Sequence, residues 1–119
     1  MPVPSKCISE DQARDLQNNW DSTRAVWIQQ HRSQGDTREF VFSVSELEEF
    51  IDYVKDLSTQ QGFNKPGIRI YFAAYDDGSI NSNATVFLSA TETGDKNSDN
   101  NYNIQPFNVV SGGFPPKTY

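Results

Sequence analysis

Gly67-Ile68-Arg69-Ile70-Tyr71-Phe72-Ala73-Ala74-Tyr75 and, after a polar turn, Ala84-Thr85-Val86-Phe87-Leu88-Ser89-Ala90-Thr91 decide the fold of this chain. Both stretches are short and rich in β-branched and aromatic residues, which favour a pleated, half-buried surface. Asp76-Asp77-Gly78-Ser79 lies between them, a run of turn formers. Two such runs joined by turn residues predict an antiparallel β-unit. Side chains alternate across a strand, so Ile68, Ile70, Phe72 and Ala74 share one face while Arg69, Tyr71, Ala73 and Tyr75 share the other. The first face has the composition of a core. The second carries a cation and two phenols.

Upstream of the strand, Ser43-Val44-Ser45-Glu46 fits a capping box, with Phe42 and Leu47 as the flanking apolar pair. Leu47, Phe50, Ile51, Val54 and Leu57 (or Ser58) then trace one helical face, with Glu48, Glu49, Asp52, Lys55 and Asp56 opposite. Gly62 marks the end of this helix, and Asn64-Lys65-Pro66-Gly67 turns the chain into the strand. Earlier still, Ser9-Glu10-Asp11-Gln12 is a second capping box, and Ala13, Leu16, Trp20 and Trp27 follow helical spacing, with Thr23 continuing the stripe. This predicts a helix from Glu10 to His31, weakened at Asp21-Ser22. Arg38–Phe42 reads as an edge strand or an extended connector.

Downstream, residues 92–102 are polar throughout and read as a mobile loop. Tyr102–Val110 has weak strand character and contains Pro106, which confines it to a sheet edge. Residues 1–8 form an N-terminal tail, and 9–119 form a single α+β domain. Its expected architecture is two helices packed on a small antiparallel sheet of about three strands. Leu16, Trp20, Trp27, Leu47, Ile51, Val54, Ile68, Ile70, Phe72, Val86 and Leu88 form the expected core.

Composition limits the function. The chain has 119 residues, a formal charge of −6, and 10 basic against 16 acidic side chains. Nucleic-acid affinity rests largely on Lys and Arg neutralising phosphates, so a nucleic-acid partner is disfavoured, as is an anionic membrane surface. No segment has the apolar length of a membrane span or a secretory leader, which makes the cytoplasm the expected location. Fifteen aromatic residues (8 Phe, 5 Tyr, 2 Trp) offset a low apolar fraction of 35%. Cys7 is the sole cysteine, so no intrachain disulfide can form.

Catalytic and metal chemistry find little to work with. Asp95-Lys96-Asn97-Ser98-Asp99 opens like a calcium loop, but Asn100 and Pro106 stand where the required Gly and bidentate Glu belong. His31 sits at a helix end, where a cation suits the dipole. Asp76 and Asp77 are already accounted for by turn chemistry. No catalytic residue, metal ligand or cofactor is assigned. The candidate binding residues are Arg69, Tyr71 and Tyr75, which can meet a carboxylate, a phosphate or a partner's backbone. The competing reading has a helix covering this face, with Arg69 paired to Glu48 or Asp52.

Several segments also carry a resemblance. Phe42-Ser43-Val44-Ser45-Glu46-Leu47-Glu48-Glu49-Phe50-Ile51-Asp52-Tyr53, Gly67-Ile68-Arg69-Ile70-Tyr71-Phe72 and Asn103-Ile104-Gln105-Pro106-Phe107-Asn108 … Pro115-Pro116 are similar to a family of small uncharacterised bacterial proteins. That likeness implies no activity, cofactor or site residue. The functional expectation is a small, acidic, non-catalytic interaction module that binds a protein partner or forms a homo-oligomer. The alternative is a small-ligand sensor or enzyme using the Arg/Tyr face for an anionic molecule.

Overall fold

Helix formation starts where the capping residues stand. In the computed structural model, which describes residues 2–32, 35–76 and 83–108, the Ser9 side chain accepts from the Gln12 backbone, and the Gln12 side chain accepts in return from the Ser9 backbone. Helix α1 runs Glu10–Ser22 and α2 runs Arg24–His31. The single helix expected over this stretch is therefore two. The break is at Thr23, whose backbone leaves helical geometry (φ −121°, ψ −81°) and whose hydroxyl donates to the Asn19 carbonyl at 2.5 Å. Such back-bonding gives the backbone an alternative to the helix. It also disrupts the phase between Trp20 and Trp27: Trp20 is half-buried, while Trp27 is 67% exposed. Leu16, also expected in the core, is 61% exposed, and neither α1 nor α2 buries any residue fully.

Arg38–Phe42 serves as an extended connector with a single bridge residue, Phe40. Helix α3, Val44–Gln60, begins at Ser43, whose hydroxyl accepts from the Glu46 backbone at 3.0 Å. Strand β1, Gly67–Ala74, pairs antiparallel with β2, Ala84–Thr91, in an unbroken register from Gly67↔Thr91 to Ala74↔Ala84. Strand β3, within the described residues, is Phe107–Asn108, pairing with β2 at Phe87 and Leu88. The sheet order is β1-β2-β3. The expected α+β fold with a three-stranded antiparallel sheet is what the chain adopts.

The core lies under α3. Phe50 and Val54 meet Leu88 and Ala90 from β2 and Ile104 from the following segment, with Phe42, Leu47, Leu57 and Phe107 packed around them. Phe107 continues the cluster by stacking on Phe50 at 5.0 Å between ring centroids and meeting Phe42 at 5.5 Å. Asn101, itself buried, holds the segment that delivers Ile104: its backbone donates to the Ala90 carbonyl, and its side chain donates to the Gln61 side chain.

Strand β1 departs from expectation. By register, Ile68, Ile70 and Phe72 lie opposite Ala90, Leu88 and Val86, on the same face of the sheet. Yet Ile70 is 63% and Phe72 89% exposed, with Ile68 at 37%, whereas Val86, Leu88 and Ala90 are buried. The apolar row of β1 is on the core side of the sheet and outside the core. Geometry supplies the reason. A helix is about 10–12 Å across and strands lie about 4.8 Å apart, so one helix covers about two strands. Helix α3 is seated over β2 and β3. Ile51, another expected core residue, sits at the uncovered margin, sharing a shallow groove with Lys55, Pro66 and Ile68.

Candidate functional site

Arg69, Tyr71 and Tyr75 follow different fates. Arg69 and Tyr71 lie on the sheet face opposite α3, so no helix acid meets Arg69, and the expected Glu48 or Asp52 pairing does not form. The cover is the segment after β2 instead. The Arg69 guanidinium donates to Asn100 Oδ1 at 2.7 Å and to the carbonyls of Ser98 and Lys96 at 2.9 and 3.0 Å. These acceptors all belong to the polar stretch expected as a mobile loop. Within the same stretch, the Thr93 backbone donates to the Ser98 hydroxyl and the Glu92 backbone donates to the Asp99 carbonyl.

Gly67 belongs to this arrangement. A Cβ at that position falls 2.5 Å from Thr91 Oγ1 and 2.7 Å from the Thr93 carbonyl oxygen. The residue is glycine because the loop returns against the strand there.

Tyr71 stacks on Phe87, its direct cross-strand neighbour, with ring centroids 5.0 Å apart. Asn100 donates its side-chain amide to the Tyr71 phenolic oxygen at 2.7 Å. That hydrogen bond, with the Arg69 guanidinium adding to it, holds the Tyr71 phenol below its ordinary value near 10 against a smaller opposing effect of desolvation. Tyr75 lies beyond the end of β1 and donates its hydroxyl to Asn108 Oδ1 at 2.8 Å. The structure therefore brings Arg69 and Tyr71 together around Asn100 and sets Tyr75 apart with β3. Asp76 is exposed, and its neighbour Asp77 lies outside the described residues. His31 is in the last turn of α2, and Cys7 is a free, exposed thiol.

Two concavities accompany these groups. One, about 300 Å³, lies between the α1–α2 pair and the sheet, lined by Trp20, Ile28, Phe40, Phe72, Ala73 and Thr85 among others, so Phe72 borders it at the edge of β1. Arg38 at its rim is ion-paired with Asp21, and Asp36 Oδ1 accepts from the Ala84 backbone. The other lies beside α3, where Glu46, Glu49 and Tyr53 border Pro106 and Phe107. Neither is lined by Arg69, Tyr71 or Tyr75. Among the described residues no group of three or more His, Cys, Asp or Glu side chains could hold a metal ion, and no helix is long and apolar enough to cross a membrane.

The largest unexplained feature is the open flank of β1. In antiparallel ladders, pairs that exchange backbone hydrogen bonds alternate with pairs that do not. The Tyr75 backbone donates to the Asn83 carbonyl at 3.0 Å, which fixes the phase. Gly67, Arg69, Tyr71 and Ala73 thus turn their backbone groups toward β2, and Ile68, Ile70, Phe72 and Ala74 turn theirs outward. Consistent with this, the outer side of β2 is served at Val86 and Ala90, whose carbonyls accept from the Asn108 side chain and the Asn101 backbone. Among the described residues nothing pairs with the outward groups of β1.

Edge strands are usually guarded by a charge, a proline, a bulge or a short length. Strand β1 is eight residues long with no bulge in its register, and it holds no proline. Its one charge, Arg69, is bound to the loop on the other face. Ile70 and Phe72, both expected in the core, have the alternation of a core strand. What alternation does not carry is cover: the core cluster under α3 takes in Leu88, Ala90 and Phe107 and leaves Ile70 and Phe72 out.

No family model, curated protein or solved structure matches this chain.

Proposed function

We propose that this chain is a cytoplasmic, non-catalytic interaction module that docks another protein chain on the open flank of β1. The observation behind this reading is an unguarded edge strand whose four outward-facing residues also carry its apolar row. A strand edge of this kind offers main-chain hydrogen bonds for affinity and a line of side chains for specificity. Phe72 and Ile70 are the anchors, since large exposed apolar side chains supply most of the binding energy when a partner buries them.

The sensor or enzyme reading has less support. Its cation, Arg69, already spends three hydrogen bonds on Asn100, Ser98 and Lys96. The three residues it needs are also divided between two places on the sheet.

Affinity purification from the native cells tests the proposal, with the wild-type chain beside an Ile70→Lys/Phe72→Lys variant. Loss of a stoichiometric chain, this one's own copies included, from the variant alone is the expected result. Equal recovery by both forms places docking elsewhere.

A further inference from the structure

Unequal side chains open the concavity between the α1–α2 pair and the sheet. Ala73 and Thr85 pair directly across the ladder and form a floor of small residues. Trp20 from α1, Ile28 from α2 and Phe40 from the connector stand around it as large apolar walls. Neither helix buries a residue fully, so the helix pair does not close down on that floor. The resulting volume of about 300 Å³ is at the lower end of the range for ligand pockets. It is also double the roughly 150 Å³ at which an apolar cavity takes up benzene.

Thr85 supplies a polar end. It is 4% exposed, and its hydroxyl has no hydrogen-bond partner in the fold. Buried hydroxyls are nearly always bonded, and an unbonded one lowers stability. Valine has the same shape without that cost, so the fold alone gives no reason for the oxygen. Rotation about χ1 exchanges the hydroxyl with the methyl, which lets a ligand draw the oxygen to itself. Thr37, 6% exposed, adds a second hydroxyl to the lining. The charged groups there are already engaged. Asp36 Oδ1 accepts from the Thr37 and Ala84 backbones, and Arg38 is ion-paired with Asp21.

We infer that this concavity binds a small, uncharged, flat molecule of about two fused rings, carrying one polar group that meets Thr85. Size follows from the benzene comparison, and flatness from walls of Trp20, Phe40 and Phe72, since rings gain by stacking or edge-to-face contact. Neutrality follows from the engaged charges: an ion would give up its hydration in an apolar space without a free countercharge. The pocket shares Phe72 with the open flank of β1 and does not depend on docking there.

NMR titration of the full chain tests the site with 2-naphthol as the probe. Beside it, 2-naphthoate and 2-naphthylmethylammonium carry the same rings with a negative or a positive charge. Saturable shifts are expected at the amides of Thr37, Ala73 and Thr85 and at the Trp20 indole, with a Kd of about 1 mM or tighter for a probe of this size. Both charged probes should bind about tenfold more weakly or worse. Thr85→Val should weaken 2-naphthol about tenfold, the worth of one hydrogen bond, while Thr85→Ser keeps the affinity. Without probe, Thr85→Val should melt at or above the wild-type temperature, because the unbonded hydroxyl is gone. A lower melting temperature would give that hydroxyl a structural duty and overturn the site. Absence of saturable shifts, shifts confined to other parts of the chain, or an affinity indifferent to Thr85→Val would overturn it equally. A charged probe that binds as tightly as 2-naphthol overturns the ligand class.

Discussion

Strands β1 and β2 have almost the same composition along the sheet face that α3 approaches. One presents Ile68, Ile70 and Phe72, the other Ala90, Leu88 and Val86, pair by pair across the ladder. The row on β2 is buried and the row on β1 is open. Hydrophobicity and alternation therefore do not distinguish a core strand from a surface strand. The difference lies in which strand a covering element can reach. A row of this kind can stabilise the monomer or an assembly, and supply of cover decides between the two.

The largest test of this contrast is a pair of truncations. Leu88→Ala is expected to lower the unfolding free energy by about 2–5 kcal/mol, the range for large-to-small core changes. Phe72→Ala, in dilute solution, should move it by less than about 0.5 kcal/mol, as for a surface site. Urea denaturation of both variants at low protein concentration measures the difference. Equal losses would mean that the β1 row is part of the monomer core after all.

A smaller effect sharpens the same contrast at the one end of β1 that is tied down. Gly67→Ala places a methyl within 2.5 Å of Thr91 Oγ1 and 2.7 Å of the Thr93 carbonyl. The expected cost is about 1–3 kcal/mol, the usual range for overpacking. Amide exchange should show faster opening at 92–100 while the 84–91 amides stay protected. An unperturbed variant would show that the loop does not hold the strand.

The smallest effect concerns the covered face of β1. Tyr71 has its phenol held below 10 chiefly by the Asn100 amide, so in the folded state it ionises before a free tyrosine does. With the folded value below the unfolded one, the phenolate adds stability that is absent at neutral pH. That stability grows as pH rises through the folded value and is complete above the unfolded one. Ultraviolet titration should show one phenolate forming early, and Asn100→Ala should abolish that early step. An unchanged titration curve in the variant would remove Asn100 as the cause.

Much of this architecture is legible in the sequence, and the exceptions share a cause. Both capping signatures, at Ser9 and Ser43, start helices where they stand, and the strand bounds of β1 and β2 follow from their β-prone runs and the turn formers between them. These are local interactions within a few residues. Features that depend on distant partners were hidden. Trp27 leaves the apolar stripe because Thr23 breaks the helix through a hydroxyl bond to Asn19. Ile104, a lone aliphatic residue in an Asn-rich run, enters the core because Asn101 bonds Ala90 and Gln61 across the fold. Arg69 gains loop carbonyls as acceptors where a helix acid was expected, since no sequence rule says which side of the sheet α3 takes. The candidate site was visible as a strand with two chemically different faces. Which face is free depended on the seating of one helix.

Strand β3 has a consequence for the two edges of the sheet. Among the described residues it comprises Phe107–Asn108, directly after Pro106, which has no N–H to give. The edges of the described sheet are therefore unlike, a run of eight residues at β1 and a proline-led pair at the other side. Among the described residues, an added strand would find its longest run of main-chain partners at β1.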